Sequence, residues 1–200
     1  MRQVPSVASP PANPYVSRGG LKLAHALREF NLSVQGLTCA DLGASTGGFT
    51  DCLLQHGVVK VYAVDTAYGE LAWKLRQDPR VVVIERSNAL HTDPREPVDL
   101  VVADVGWTKQ SLLIPAARRW LKPDGRIISL IKPHYEASGH TKGREAILPE
   151  HEAEAVLKNV IAGMTALEVE VQATTRSPVR GGSKGTGNFE WLALLRLRQA

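Results

Sequence analysis

Short apolar runs alternate with segments of helical periodicity along most of the chain. The apolar runs predict β-strands at residues 37–42, 58–64, 80–84, 98–103 and 126–131. The segments between them predict helices at 47–56 and 69–76 and a third helix ending at Trp120 and Leu121, with Pro115 in its first turns or at a kink. Because strands that are apolar throughout are buried on both faces, this order predicts a mainly parallel sheet covered by helices on both sides.

The two ends of the chain extend this pattern. Leu23, Leu27 and Phe30 recur at helical spacing after Ser17, which is the predicted helix N-cap. Residues 166–173 and 189–197 are predicted strands joined by a loop at 174–188, and the lack of a helix between them predicts an antiparallel edge. The sequence thus predicts a doubly wound α/β domain with seven strands at residues 15–200, after a flexible, proline-rich lead at residues 1–14. A further helix is predicted to begin at Pro149, with apolar positions at Ala153, Val156, Leu157, Val160, Ile161 and Met164.

Composition narrows the class of protein. Hydrophobic residues make up 44% of the 200 and charged residues 22%, which excludes a disordered or fibrous chain. No apolar run approaches the roughly 20 residues of a membrane span, and residues 1–14 lack the apolar segment of a signal peptide. We therefore expect a cytoplasmic protein with no membrane partner. Cys39 and Cys52 are predicted to be buried, reduced thiols. The net charge of +4 suits a polyanionic partner, although many proteins without one are as basic.

A glycine-rich segment follows the first predicted strand, at the edge of the sheet where such folds bind ligands. Residues 41–50 read Asp-Leu-Gly-Ala-Ser-Thr-Gly-Gly-Phe-Thr, which is neither the dinucleotide nor the phosphate-binding glycine pattern. We expect Gly43 to allow a tight turn, and Gly47 and Gly48 to let a ligand approach the backbone. Asp41 would attract an amino group or a sulfonium centre, while the helix N-terminus would receive a carboxylate.

Two polar residues after the next strands fit the same ligand. Asp65 closes the second strand, where its carboxylate can accept hydrogen bonds from a ribose diol, and Asn88 can face an adenine edge. A generic β–α turn with Asp65 as a helix cap would look similar. The Leu-Lys-Pro-Asp-Gly turn at residues 121–125, common in class I methyltransferases, favours a site for S-adenosylmethionine. The predicted contacts are Asp41, Gly43, Ser45, Thr46, Gly47, Gly48, Phe49, Asp65, Asn88 and Asp104.

Four charged residues lie where a parallel-sheet enzyme would bring them together. Lys22 is on the first helix, Asp104 and Lys132 end two strands, and Glu190 begins the last strand. Each alone is more often an exposed cap. Together they suit methyl transfer to a ribose hydroxyl, which must lose a proton as it attacks. A lysine that is partly desolvated and crowded by a second cation becomes a usable base near neutral pH, and carboxylates can orient it.

Residues 15–23, Tyr-Val-Ser-Arg-Gly-Gly-Leu-Lys-Leu, and residues 41–54 resemble the TlyA family. This family combines haemolysin-type naming with ribosomal RNA 2′-O-methyltransferase activity and belongs to the FtsJ-like methyltransferases. Further matching segments at 69–80, 84–88 and 130–136 extend the resemblance over residues 15–197. It implies a Rossmann-like class I methyltransferase fold, S-adenosylmethionine as cofactor, no metal, and ribosomal RNA or a ribosomal subunit as partner. It also implies a catalytic tetrad, with Lys132 as the proton acceptor, at Lys22, Asp104, Lys132 and Glu190.

The sequence departs from the family in two places. Members usually carry a small RNA-binding module ahead of the catalytic domain, whereas we expect only the proline-rich lead before residue 15 here. After Asp104 the family reads Val-Ser-Phe-Ile-Ser-Leu, but this chain reads Val-Gly-Trp-Thr-Lys-Gln, so Trp107 either stacks on a base or packs under the neighbouring helix. The loop at residues 176–188 either closes over a phosphate backbone or is an ordinary connection. The candidate RNA contacts are Arg18, Trp107, Arg176, Arg180 and Lys184.

Two other functions are compatible with parts of the sequence. A methyltransferase acting on a small molecule or a protein would keep the cofactor site, turn over without RNA and respond little to salt. A non-catalytic, haemolysin-like protein that inserts into membranes would need a basic amphipathic helix, for which the sequence offers no strong candidate. The expected function is therefore methylation of a ribose hydroxyl in RNA.

Overall fold

The computed structural model describes residues 13–137, 147–182 and 186–198. Most of the predicted lead and Lys184 therefore lie outside the described residues. Seven strands form one sheet: β1 (Thr38–Leu42), β2 (Lys60–Val64), β3 (Val81–Ile84), β4 (Val98–Ala103), β5 (Leu121–Ile131), β6 (Val169–Arg176) and β7 (Trp191–Leu197). The helices are α1 (Gly19–Glu29), α2 (Gly48–Gln55), α3 (Trp73–Arg76), α4 (Gln110–Arg118), α5 (Pro133–Glu136) and α6 (Glu150–Gly163), and a 3-10 helix, Met164–Leu167, precedes β6.

The strands are arranged in the order β3-β2-β1-β4-β5-β7-β6. The first five in this order are parallel, whereas β7 runs antiparallel to both β5 and β6. This confirms the predicted seven-stranded, mainly parallel sheet with antiparallel pairing at one edge. The reversed strand β7 is second from that edge, and β6 lies outside it. The chain order reverses between β1 and β4, so a crevice opens at their carboxyl ends.

Successive residues of each central strand point to opposite sides of the sheet, so both faces of the sheet are apolar. Helices cover both of these faces. On one face, Leu23 of α1 and Leu53 of α2 pack with Leu100 of β4. On the other face, Ile114 of α4 and Trp120 pack with the next residue of β4, Val101. The free thiols of Cys39 and Cys52 are buried, as predicted, and burial raises the pKa of each to about 12.

Several predicted boundaries are wrong for local reasons. The helix expected at 69–76 has only the four residues of α3. The strand expected at 166–173 begins at Val169, because the 3-10 helix continues α6 and Glu168 adopts a left-handed φ of 57°. The turn expected at 122–125 lies within β5 as an irregularity in its pairing with β4. Val98 pairs with Leu121, but Leu100 pairs with Arg126, so the register shifts across these residues.

The start of α1 also differs from the prediction. Arg18 is the N-cap residue, and no side chain caps the helix. The hydroxyl of Ser17, the predicted cap, accepts a 3.3 Å hydrogen bond from the backbone N–H of Gly19. Pro115 is the sixth residue of α4, within its first two turns, as predicted.

Candidate active site

A cavity of about 700 Å³ opens at the carboxyl ends of β1, β2 and β4, beside the first turns of α1 and α2. Twelve of the predicted site residues line this cavity, and the first and last of them are 114 positions apart in the sequence. They are Arg18, Lys22, Gly43, Ser45, Thr46, Gly48, Phe49, Asp65, Asn88, Asp104, Trp107 and Lys132.

Two glycines hold the backbone around this cavity close together. Gly43 has a φ of 87°, and a Cβ there would lie 2.7 Å from the carbonyl oxygen of Asp104. The turn after β1 therefore touches the turn after β4. A Cβ on Gly48 would lie 2.2 Å from the Ser17 hydroxyl, so α2 begins directly against the start of α1.

Replacing Gly43 by alanine should strain this turn, since the φ disfavours a side chain and the obstructing atom belongs to the backbone. We expect a loss of about 1–3 kcal/mol in the free energy of unfolding and weaker S-adenosylmethionine binding. Chemical denaturation and calorimetric titration measure these changes. Gly163→Ala is the matched control, because nothing lies within 4 Å of a Cβ there. Equal stability of the two variants would contradict the role given to Gly43.

Two predicted cofactor contacts are not on the wall of the cavity. Asp41 is fully buried, and one of its carboxylate oxygens accepts a 2.7 Å hydrogen bond from the Thr50 hydroxyl. Burial raises the pKa of Asp41 to about 7. Gly47 is left-handed, and a Cβ there would lie 2.3 Å from a methyl carbon of Leu75. In this structure Asp41 supports the first turn of α2, and Gly47 makes room for α3.

Asp65 and Asn88 are placed as predicted, at the wall of the cavity. The Asp65 carboxylate accepts backbone hydrogen bonds from Ser45 at 2.7 Å and Ala67 at 2.8 Å, and each oxygen retains a lone pair for a ligand hydroxyl. The side-chain oxygen of Asn88 accepts the backbone N–H of Leu90 at 2.9 Å. The amide N–H groups of Asn88 therefore remain available as donors.

The four charged residues of the predicted tetrad converge. Lys22 Nζ lies 2.6 Å from Glu190 Oε2 and 3.8 Å from Asp104 Oδ2. Lys132 Nζ forms an ion pair with the other oxygen of Asp104. Carboxylates and ammonium groups thus alternate in the order Glu190, Lys22, Asp104 and Lys132. Glu190 is 4% exposed and Lys22 9% exposed, so the array is largely shielded from water.

The charges in this array raise the pKa of Lys132. Burial alone would lower it, but the attached Asp104 carboxylate outweighs burial and places the pKa above its ordinary value. For Asp104, burial opposes ionisation, yet the charges of Lys132 and Lys22 lower its pKa. The sequence analysis expected desolvation and a second cation to make a lysine a usable base near neutral pH, whereas the Asp104 carboxylate shifts the pKa of Lys132 in the opposite direction. Lys132 is therefore an ammonium group near neutral pH.

An aromatic group borders the tetrad. Trp107 is 67% exposed, and its ring lies 4.7 Å from that of Tyr135 between centroids. Tyr135 also lies under Lys132, whose Nζ is 5.7 Å from the ring centroid. The alternative in which Trp107 packs under a helix is therefore wrong. The sequence analysis did not single out His134 and Tyr135 as site residues, although they lie two and three residues after Lys132. Burial and the charges of the two lysines lower the pKa of His134 to about 4, so its ring is neutral.

A buried polar network behind the cavity joins the segments that follow Asp104 and Lys132. The Glu136 carboxylate accepts the backbone N–H of Gln110 at 2.7 Å, at the first residue of α4. The Gln110 side chain in turn accepts the Ser129 hydroxyl at 2.7 Å. These contacts hold the ends of β4 and β5 at a fixed separation. The sequence contains no motif that would have predicted this network.

Three of the predicted RNA-contact arginines lie near the β6–β7 connection. Arg18 donates to the backbone carbonyl of Gly182. Arg176 pairs with Glu150 at 2.5 Å and lies over the Phe189 ring, 4.0 Å from its centroid. Arg180 lies over the same ring at 3.8 Å.

A model of the FtsJ-like methyltransferase family matches residues 15–187. The chain belongs to this family. It is 40% identical over 183 residues to the "16S/23S rRNA (cytidine-2'-O)-methyltransferase TlyA" of Mycobacterium tuberculosis, covering 89% of this chain and 68% of that protein. It is 42% identical over 183 residues to "Putative rRNA methyltransferase YqxC" of Bacillus subtilis, covering 89% of this chain. The chain spans 64% of YqxC, less than two thirds of its length. The resemblance to the TlyA group is thereby confirmed.

A solved structure of the same group supports the fold of this FtsJ-like chain. It is described as "Putative hemolysin from Streptococcus thermophilus" and superposes with a TM-score of 0.88 at 39% identity, covering 96% of this chain and 70% of that one. Within the described residues of the present structure, none of the helices has the length and apolar character needed to cross a membrane.

Proposed function

We propose that this FtsJ-like chain transfers a methyl group from S-adenosylmethionine to a ribose 2′-hydroxyl of ribosomal RNA. The observation that carries the proposal is the alternating array of Glu190, Lys22, Asp104 and Lys132, in which Lys22, Asp104 and Lys132 line the cavity and Glu190 pairs with Lys22. A methyl acceptor that must lose a proton needs such a positioned base and fixed charges around it. The name of the Mycobacterium tuberculosis relative, which specifies a cytidine 2′-hydroxyl in rRNA, supports the same acceptor.

The cavity fits S-adenosylmethionine. Asp65 would hold the ribose diol, Asn88 the adenine edge, and the turn from Gly43 to Phe49 the amino acid part. The absence of a side chain at Gly43 and Gly48 lets the backbone segments around the cavity pack closely against one another. When bound, S-adenosylmethionine supplies an electrophilic methyl carbon on a sulfonium centre.

Each member of the tetrad has a separate task in this proposal. Lys132 Nζ accepts the proton of the 2′-hydroxyl after releasing its own proton to solvent. Asp104 holds Lys132 and Lys22 on its two oxygens. Glu190 fixes Lys22 from the opposite side, and the Lys22 ammonium stabilises the negative charge that develops on the ribose oxygen.

The pH dependence tests the task of Lys132. Because the raised pKa leaves little neutral lysine at pH 7, kcat under saturating substrates should rise about tenfold per pH unit from pH 6 upward. The rise should continue to at least about pH 10, near the ordinary lysine pKa. Single-turnover rates across this range measure it. A rate that reaches a plateau between pH 7 and 8 would contradict the proposal that Lys132, with its raised pKa, must lose a proton before it acts.

RNA recognition is assigned to residues that line the cavity and to residues near the β6–β7 connection. We place the RNA contacts at Arg18, Trp107, Arg176 and Arg180, of which Trp107 offers an exposed ring for base stacking. The cytoplasm, where ribosomal RNA is found, is the proposed location.

The direct experiment is transfer of tritium from labelled S-adenosylmethionine to an unmodified ribosomal RNA transcript. We expect label in RNA that is released by ribonuclease treatment, and RNA binding that weakens with salt. Label in protein or small molecules of a cell extract, with none in ribosomal RNA, would favour the small-molecule or protein methyltransferase instead.

A further inference from the structure

The ring of Phe189 is enclosed by two arginines. The guanidinium carbon of Arg180 lies 3.8 Å from the ring centroid, and that of Arg176 lies 4.0 Å from it. Both guanidinium groups therefore lie over the ring. Phe189 is 6% exposed, and it also belongs to a hydrophobic cluster with Leu148, Ala153 and Trp191. Glu150 binds Arg176 at 2.5 Å and fixes one side of the stack.

The charge of Arg180 is not balanced in the same way. Among the residues that the structure describes, its contact is the ring of Phe189, and no carboxylate pairs with it. Stacking immobilises the guanidinium plane while leaving its N–H edge open to an oxyanion. A planar, fixed guanidinium is suited to bidentate binding of phosphate. The guanidinium of Arg180 is therefore held in position to bind an anion.

The position of Arg180 links this contact to the tetrad. Gly181 follows it directly, and a Cβ on Gly181 would lie 2.7 Å from Glu190 Oε1. The Gly181 N–H donates to the carbonyl of Asn188 at 3.0 Å, which closes the loop beneath Arg180. On the chain, the stacking ring of Phe189 is joined to Glu190. The backbone next to Arg180 thus touches the tetrad at the Glu190 carboxylate.

We infer that Arg180 binds an RNA phosphate adjacent to the nucleotide whose ribose reaches the tetrad, with Phe189 as its rigid platform. This inference rests on the proposed RNA methyltransferase function and specifies how its substrate is held. A phosphate contact fixes the register of the strand without reading its sequence. Arg180 is thus a substrate-positioning residue that acts on any RNA presented at this edge.

The test compares Arg180→Ala with Arg198→Ala. Both variants lose one exposed arginine. Arg198 follows the carboxyl end of β7, whereas Glu190 of the tetrad precedes the amino end of the same strand. Affinity for a ribosomal RNA transcript is measured by filter binding over a range of potassium chloride concentrations. Arg180→Ala should reduce the slope of log affinity against log salt by about 0.7–1 and raise KM for RNA roughly tenfold. The Kd for S-adenosylmethionine should not change.

Arg180→Lys separates charge from geometry. Lysine keeps the positive charge but loses the planar edge, so its KM should lie between those of the wild type and Arg180→Ala. If the wild-type protein methylates RNA while Arg180→Ala and Arg198→Ala show equal salt slopes, the phosphate contact is overturned and the proposed function stands. If the wild-type protein does not methylate RNA at all, the proposed function itself fails.

Discussion

Replacing Lys132 by alanine is expected to reduce kcat for RNA methylation by about 10³-fold, within the range of a lost general base. The variant removes the group proposed to accept the ribose proton. Asp104 keeps Lys22 as a neighbour at 3.8 Å, so the remaining charges stay partly balanced. The Kd for S-adenosylmethionine should therefore change only a few-fold. Single-turnover kinetics and calorimetric titration measure the two effects separately.

Two further variants decide whether Lys132 acts as a base. Lys132→Arg keeps a cation beside Asp104, but arginine does not release its proton at accessible pH. It should be as inactive as Lys132→Ala while binding S-adenosylmethionine normally. Activity within tenfold of the wild type in Lys132→Arg would mean that the positive charge, and not proton transfer, is what the site requires. Lys158→Ala, an exposed lysine on α6, is the control for loss of charge.

Replacing Asp104 by asparagine should lower kcat by about 10²–10³-fold and also change the pH profile. The carboxylate is the charge that raises the pKa of Lys132 against the effect of burial. Without it, burial dominates and the pKa of Lys132 falls. The remaining activity should then reach its plateau at a lower pH than in the wild type. The rate of the variant at pH 7 relative to its own maximum is the quantity to measure.

Asp104→Asn leaves Glu190 as the remaining carboxylate of the tetrad beside Lys22 and Lys132, so the positive charges are less well balanced. A thermal unfolding measurement is therefore needed to show that the variant is folded at the assay temperature. Asp124→Asn is the matched control, because Asp124 is an exposed residue within β5. An Asp104→Asn variant whose pH profile coincides with that of the wild type would contradict the assignment of Asp104 as the group that sets the pKa of Lys132.

The convergence of the tetrad could be predicted because much of it follows from strand order. Asp104 and Lys132 end two parallel strands, and such ends meet at one edge of a sheet. Glu190 begins a strand that enters the sheet from the same edge. Lys22 lies on a helix, so strand order does not place it, and the resemblance of residues 15–23 to a known family supported its inclusion.

Other properties depend on distances that the sequence does not contain. Asp41 occupies a motif position expected to contact the ligand, yet its carboxylate is buried and bound to Thr50. The pKa of Lys132 depends on whether burial or the Asp104 carboxylate has the larger effect. The stacking of Arg176 and Arg180 on Phe189 joins residues on either side of a loop. No periodicity or motif reports such a contact.

The methylated atom tests the central claim most directly. Ribosomal RNA methylated by the purified protein is digested to nucleosides, and the labelled nucleoside is identified by mass spectrometry. A methyl group on the ribose also protects the adjacent phosphodiester from alkaline hydrolysis, because the 2′-hydroxyl is blocked. We expect a 2′-O-methyl nucleoside and an alkali-resistant dinucleotide. A methyl group on a base, with full sensitivity to alkali, would contradict the role given to Lys22, Asp104, Lys132 and Glu190.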